Sequence, residues 1–361
     1  MSDGAVGMWA GTLDAGGQVL RIVFHIERDV SGDLSGTMDS PDQGAFGLPL
    51  SAVEVDSENS VRFELAMAGG VYTGRMSEDG TGFEGQWSQG GVSFPLTLER
   101  TERAANAPER PQEPKPPYPY EAFDVEFDNP EAGNRLAGTL TVPPGGGPHP
   151  AVVLISGSVA QDRDETVFGH RPFRVLADHL TRRGIAVLRY DDRGVGGSTG
   201  DITVATMPDF ASDALAAVAY LVARPEVDPT RIGLLGHSEG ASVAPMAANR
   251  SGDVAFVVLL AGMGVNGREL LEMQLIAINE AMGMPEAVTR QRSDLQVRLL
   301  DAVATAPDDS SAEERARGIL APAGLTGAAA DGQIRALLTP WMKHFLVYDP
   351  LPALRALDVP A

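Results

Sequence analysis

The pentapeptide Gly236-His237-Ser238-Glu239-Gly240 is the segment of this sequence best suited to covalent chemistry. A G-x-S-x-G needs glycine on both sides because the serine sits on a tight strand-to-helix turn, where side chains two residues away would collide. Such a turn lifts the hydroxyl above the sheet and aims helix-terminal N–H groups at charge forming on a bound acyl group. The spacing points to acyl transfer with Ser238 as nucleophile. His237 lies inside the motif, but its side chain is expected to point away from the hydroxyl and to serve the structure. The motif alone is common by chance. Here a predicted strand over 231–236 precedes it and a predicted helix over 241–249 follows, as the turn requires.

Two other segments fall where such a site would use them. A predicted strand over 151–156 runs into Gly157-Ser158-Val159-Ala160-Gln161. This small-residue turn can present one oxyanion N–H, that of Ser158, with the Glu239 N–H supplying the other. A strand over 185–190 leads into Asp191-Asp192-Arg193-Gly194-Val195-Gly196-Gly197-Ser198. The glycines there do not match a dinucleotide loop, and no acid follows at the end of a second strand. A tight loop braced by Asp192 and Arg193 is expected.

The elements that must position these residues alternate from residue 121 onward. An antiparallel opening pair (123–128 and 135–142) is followed by short apolar strands at 151–156, 185–190, 231–236 and 254–260. Nearly unbroken apolar runs of this kind suit parallel strands buried on both faces. Helices over 172–183 and 207–224 separate them. The second opens with a Thr206-x-x-Asp209 cap and carries an apolar face of Phe210, Leu215, Val218, Leu221 and Val222. This is an α/β pattern with a mostly parallel sheet. Between about 264 and 348 the alternation stops and helices take over (268–282, 285–304, 332–338), as in an inserted lid; a packing extension without gating is the plainer reading.

Residues 1–100 read differently. Strands over 18–26, 51–55, 60–66, 70–76 and 92–99 are separated by turns at 14–17, 31–33, 78–82 and 89–91, indicating a small antiparallel barrel or sandwich. Glycine beats at Gly32–Gly36, Gly69–Gly74 and Gly82–Gly85 suit bends in a closed sheet. An accessory domain is favoured over a ligand-binding barrel. Residues 101–120, with six prolines, are expected to form an extended linker.

The formal charge of −21 argues against nucleic acid and anionic lipid as partners. No apolar run is long enough to span a bilayer. With no cysteine among the 361 residues, disulfides and thiolate chemistry are excluded. Six scattered histidines without H-E-x-x-H spacing give no metal site. No cofactor is implied. The N-terminus lacks a signal-peptide pattern, which fits a cytoplasmic protein, or a secreted or periplasmic one whose leader was removed. Homo-oligomerisation is left open.

The phrases LISGSVAQDRDE, LRYDDRGVGGSTG and GLLGHSEGASVAPMAA, in this order and spacing, resemble bacterial α/β-hydrolase serine esterases, some of which carry a β-rich N-terminal domain. The resemblance runs from about residue 120 to the end, and more loosely over 1–100. It implies carboxylesterase chemistry on a small-molecule ester of short acyl chain, through an acyl-enzyme on Ser238 with the Ser158 and Glu239 amides as oxyanion hole. Thioesterase, acyltransferase and peptidase activities share this fold, and a non-catalytic binder or pseudo-hydrolase is the alternative of another class. The fold orders its triad serine, acid, histidine. After Ser238 the only histidine is His344, and the acids ahead of it (Asp294, Asp301, Asp308, Asp309) fall in the helical insertion. Residues 356–361 look like the start of the next core strand. The acid and histidine are therefore expected beyond Ala361, with C-terminal strands missing. On that expectation the chain alone is inactive, or a second polypeptide piece completes the fold.

Overall fold

The computed structural model describes residues 2–14, 19–28, 32–56, 59–66, 69–89, 92–102, 110–167, 169–281 and 283–361. Parts of the expected turns at 14–17, 31–33 and 89–91, the strand start at Gln18, residues 103–109 of the linker and the helix end at Met282 lie outside them. The chain divides into two compact units, Met1–Pro111 with Val167–His170, and Gln112–Thr166 with Arg171–Ala361.

The first unit is one antiparallel sheet of nine strands: β1 (Gly7–Asp14), β2 (Val19–Arg28), β3 (Leu34–Ser40), β4 (Ala45–Pro49), β5 (Ala52–Val55), β6 (Ser60–Leu65), β7 (Gly70–Met76), β8 (Gly82–Gln89) and β9 (Val92–Thr101). Their order is β4-β3-β2-β1-β9-β8-β7-β6-β5, a meander in which β9 returns to pair with β1 (Met8 opposite Thr101) and the ring stays open between β4 and β5. The sheet is a half-barrel rather than a sandwich. Its alternation turns Trp9, Phe24, Phe63, Tyr72, Phe83, Leu96 and Leu98 into one core. Trp9 and Phe83 lie 4.3 Å apart at 57°, and Phe63 meets Phe83 edge-on. Four strands (β1, β3, β4 and β8) escape the sequence pattern because glycine and polar residues interrupt their apolar runs. Gly85 in β8 shows the reason: a Cβ there would stand 2.2 Å from the Thr73 carbonyl and 2.7 Å from the Tyr72 hydroxyl.

The second unit is a mixed six-stranded sheet of order β10-β11-β13-β12-β14-β15. Its elements are β10 (Glu121–Asn129), β11 (Asn134–Val142), β12 (His149–Ile155), α1 (Pro172–Thr181), β13 (Ala186–Tyr190), α2 (Met207–Val222), β14 (Val227–His237), α3 (Gly240–Ala248) and β15 (Phe256–Leu260). β10 and β11 form the antiparallel opening pair; β13, β12, β14 and β15 run parallel. Helix α2 is capped as its sequence implies, with the Thr206 N–H and hydroxyl donating to Asp209 at 2.9 and 2.7 Å. Its buried stripe, however, is mostly alanine (Ala211, Ala214, Ala217, with Val218 and Leu221), while Val222 is exposed. Small side chains let the helix lie close on the sheet.

Residues 112–120 are no free spacer: Tyr118 accepts from Arg174 at 2.7 Å, Tyr120 donates to Asp178 at 2.8 Å, and the Arg171 N–H donates to Glu113. This half of the proline-rich stretch lies along α1.

Among the described residues, six α-helices follow β15: α4 (Gly267–Ala281), α5 (Glu286–Ala304), α6 (Asp309–Leu320), α7 (Gly327–Leu337), α8 (Pro340–Val347) and α9 (Leu351–Arg355). Helix α6 is not among the helices that the sequence pattern indicates. Asp308 is its N-cap, accepting the Ser311 N–H at 2.8 Å, and its buried face is only Ala312, Ala316 and Leu320. The helices share a core of their own (Leu299, Leu320, Ile334; Leu300, Val303, Leu346). Near the end of the chain, the Val257 N–H of β15 donates to the Pro360 carbonyl at 2.9 Å, and Leu357 and Val359 pack on the main core. No helix among the described residues is long and apolar enough to cross a membrane.

Candidate active site

Strands β12, β13 and β14 end side by side, and the segments that follow them (156–165, 191–198 and 237–240) meet outside their carboxyl ends, where open α/β sheets form crevices. Five described non-glycine residues have φ in the left-handed region. Four of them follow strands of this sheet: Val159 (φ 69°) and Glu165 (51°) after β12, Ser238 (53°) after β14 and Ala261 (51°) after β15. Each such conformation costs about 1–3 kcal/mol and persists only where its surroundings enforce it.

For Ser238 the enforcement is visible. A Cβ on Gly236 would stand 2.0 Å from the Gly240 carbonyl oxygen, and one on Gly240 would stand 2.2 Å from that of Ile155. The Ser238 N–H donates to the Leu260 carbonyl at 2.8 Å, and its own carbonyl accepts the Ala241 N–H as α3 begins. Strand, turn and helix are thereby locked with the serine at the apex.

The loop after β12 is held by two buried carboxylates. Glu165 Oε1 accepts both the Gly157 N–H and His237 Nδ1, each at 2.7 Å. A side chain on Gly157 would crowd that oxygen at 3.1 Å, and His237 Nδ1 and Ser238 Cβ at 3.4 Å. His237 is thus aimed at Glu165 and ties its own turn to the neighbouring loop. Asp192 accepts the Ser156 hydroxyl at 2.7 Å and the Gln161 N–H at 2.9 Å, so it brackets the loop from below. Burial pushes its carboxyl up to about 7.

Asp192 and Arg193 were expected to brace their own loop, and they reach outside it instead. Arg193 donates to Asp213 of α2 at 2.7 Å and to the Asp209 carbonyl at 2.6 Å. The loop is closed by Asp191, which accepts the Gly197 N–H at 3.0 Å and Arg163 Nη2 at 2.7 Å.

Glu239 follows Ser238 in the chain, and Ser158 follows Gly157, whose Cβ position lies 3.4 Å from the Ser238 Cβ. Among the described residues, no backbone or side-chain acceptor takes the N–H of either. Gln161 fixes the Ser158 peptide by donating to its carbonyl at 3.2 Å. The Glu239 side chain is buried, and its Oε1 accepts the Trp341 indole N–H of α8 at 2.6 Å. Burial pushes this carboxyl up to about 7 as well.

His344 sits one helical turn beyond Trp341. Its Nδ1 is buried without a partner, burial lowers its pKa, and its ring stacks on Tyr348 at 5.8 Å. The four acids of the insertion named above are engaged elsewhere or exposed: Asp301 bonds Arg268, Asp309 bonds Lys343, Asp308 caps α6 and Asp294 is exposed; Asp209 of α2 is near enough to act on His344 electrostatically. Glu165 and Trp341, which pin the turn from 72 residues upstream and 102 downstream, carry no local sequence signal. No group of described residues could hold a metal ion.

Residues 171–311, from α1 to the start of α6 and including the Ser238 turn, match the family described as serine aminopeptidase, S33. The second unit has the α/β-hydrolase fold. Esterase EstD of Thermotoga maritima is 39% identical over 142 residues, covering 39% of this chain and 34% of that protein. Thiohydrolase apmlB of Arthrinium phaeospermum is 43% identical over 79 residues, 21% of this chain and 25% of that protein. The chain thus spans about a third or less of the length of these curated relatives. Among solved structures, the α/β-hydrolase GrgF from Penicillium is 20% identical with a TM-score of 0.40, covering 66% of this chain and 77% of that one. Among the described residues, the second unit here carries six α-helices after β15.

The first unit has a groove of about 680 Å³ on the face of β5–β8 that bears Glu54, Arg62, Thr73, Arg75, Glu84 and Gln86. It holds charges of both signs.

Proposed function

We propose that this chain is a serine hydrolase of carboxylic esters, with Ser238 attacking the ester carbonyl to form an acyl-enzyme. The carrying observation is the Ser238 conformation, enforced by Gly236 and Gly240. As the ester carbonyl becomes tetrahedral, the Ser158 and Glu239 N–H groups take the developing charge. The alcohol leaves with a proton, and water then releases the acid. A short acyl chain is proposed from the resemblance to esterases alone. The match to a thiohydrolase makes thioesters a second substrate class, since the same turn and donors serve both.

The reading assigns the proton-accepting histidine to neither His237, which is committed to Glu165, nor His344, whose buried Nδ1 has no hydrogen-bond partner among the described residues. The triad acid and histidine are proposed to lie outside the residues gathered at this turn, and the chain alone to turn over slowly or not at all. Helices α4–α8 are proposed as a lid.

The test is fluorophosphonate labelling, with p-nitrophenyl acetate, butyrate and the matching thioesters as substrates. Labelling confined to Ser238 and abolished in Ser238→Ala supports the reading. Labelling that survives Ser238→Ala overturns it. Ser238-dependent turnover at ordinary enzyme rates by the chain alone overturns the absent relay and makes His344→Ala the next variant.

A further inference from the structure

Among the described non-glycine residues with left-handed backbone, Val159 is the β-branched one, and for such a side chain φ 69° is an outlier. Ser238 and Glu165 have a use for the same conformation, since one carries the hydroxyl and the other the carboxylate that joins Gly157 to His237. Val159 has no such use inside the molecule. Its side chain is 71% exposed and belongs to none of the apolar cores of the described residues. We propose that Val159 is a specificity-determining contact for the substrate: its exposed methyl groups receive the apolar chain beside the ester carbonyl, on the outer side of the loop after β12. The inference rests on the proposed role of Ser238.

The conformation is imposed from both ends of the loop. On one side the Ser156 hydroxyl donates to Asp192 and the Gly157 N–H to Glu165, each at 2.7 Å. On the other, the Gln161 N–H donates to the Asp192 carboxylate at 2.9 Å, and the Gln161 carbonyl accepts the Asp192 N–H at 3.1 Å. The Gln161 side chain also holds the Ser158 carbonyl at 3.2 Å. Between these anchors the chain passes through Val159. Glycine would take the same path without steric cost. A valine here lowers stability to hold an apolar group in solvent, which points to a partner outside the chain.

The surroundings say on which side that partner lies. Inward, Val159 borders a space shared with Gly157, Phe210, Glu239 and Val243, and its volume of about 10 Å³ is no more than one water needs. An acyl chain does not fit there. The room for one on this side of Ser238 is outside the loop, where the valine methyls are exposed. Gly157 sets the loop against the nucleophile, its Cβ position 3.4 Å from the Ser238 Cβ. Val159 lies two residues further, at most about 7 Å along the chain, the span of an ester group and a few methylenes. A chain laid on the valine removes apolar surface of both from water, and each methylene fully buried tightens binding by about fourfold.

The experiment uses acetone and 2-pentanone as unreactive mimics of acetate and butyrate esters. A ketone has no leaving group, so its binding needs no proton-accepting histidine. Wild type, Val159→Gly and Val159→Thr are titrated by nuclear magnetic resonance, following the Val159 methyl signals and the amides of 237–240, and each is melted thermally. In wild type, 2-pentanone should shift both sets of signals saturably and bind about fivefold or more tighter than acetone. Val159→Gly should melt no lower than wild type, and its preference for 2-pentanone should fall to within about twofold. Val159→Thr keeps the branched shape and replaces a methyl by a hydroxyl, so it should melt like wild type and still lose part of the preference. An undiminished preference in Val159→Gly overturns the inference, as does the absence of a saturable shift at the Val159 methyls. Melting several degrees lower in Val159→Gly also overturns it, because the side chain then serves the fold. Shifts at 237–240 with the preference unaltered in Val159→Gly remove the contact and leave the Ser238 reading standing. Shifts at Val159 with none at 237–240 remove the Ser238 reading and leave the apolar contact.

Discussion

The two sheets of this molecule bury polar groups in opposite fashion. Among the described residues of the half-barrel strands, Asp39 and Ser40 are the buried polar side chains, and the interior is aromatic and aliphatic. In the hydrolase domain Glu165, Arg189, Asp191, Asp192, Arg193, Asp213 and Glu239 are all buried, mostly in the loops after parallel strands or on the elements packed against them. Burying a charge costs several kcal/mol unless it is paired and hydrogen-bonded. A sheet built only for stability avoids it. The concentration of buried acids, arginines and left-handed residues around one serine is thus a marker of function independent of the G-x-S-x-G pattern.

The comparison can be broken at its strongest point first. Gly240→Val places side-chain atoms on the Ile155 and Ser156 carbonyls, 2.2 and 2.6 Å from the Cβ position. The turn must rebuild, so Ser238 labelling should fall below detection; a folded, labelled variant would remove the claim that the turn is sterically enforced. Phe63→Ala, fully buried in the half-barrel core, should cost about 3–5 kcal/mol in denaturant melts by leaving a cavity.

Next comes charge. Asp213→Ala removes the closer of the two carboxylates paired with the buried Arg193 guanidinium, leaving Asp209 at 3.3 Å, and should cost about 3 kcal/mol. The partly exposed Arg62–Glu64 pair of the half-barrel is the control, and Arg62→Ala should cost no more than about 1 kcal/mol. Equal costs at the two sites would erase the distinction between the sheets.

A subtler outcome concerns pH. Folded Asp192 keeps its proton up to about pH 7, whereas an unfolded aspartate releases it near pH 4. Between those values the folded state binds more protons, so this group's contribution to stability is lost as pH rises through the window. In Asp192→Asn that loss is absent. Melting temperatures of variant and wild type should therefore shift in the variant's favour from pH 4.5 to 7.5, by a few degrees. An unchanged difference across that range would mean that Asp192 is ionised throughout.

What was legible in the sequence follows from these physical differences. The parallel strands announced themselves as unbroken apolar runs because both faces are covered. Ser238, Gly236 and Gly240 were legible because the turn's sterics are local, confined to five residues. Glu165 and Trp341 were not, since their roles arise only when the chain returns to the turn from far away. Helix α6 was missed because alanines at a spacing of four bury it without an apolar stripe. Strands β1, β3, β4 and β8 were missed because glycine, which lets aromatic rings and neighbouring backbones approach, also interrupts the alternation that reveals a strand.

The nine-stranded ring joins its first and last strands and leaves its gap between two consecutive ones, with Pro49 ending β4 and Ala52 starting β5. Its ends in sequence are therefore neighbours in space, and its seam in space is a place where the chain merely passes through. A circular permutant that connects Thr101 to Gly7 and opens between Leu50 and Ser51 would break no ladder of paired strands. It would also turn the most distant pairing in the unit, β1 with β9, into a local hairpin. The native order must close a loop of some ninety residues to form that pair (Met8 with Thr101), so the permutant should refold faster.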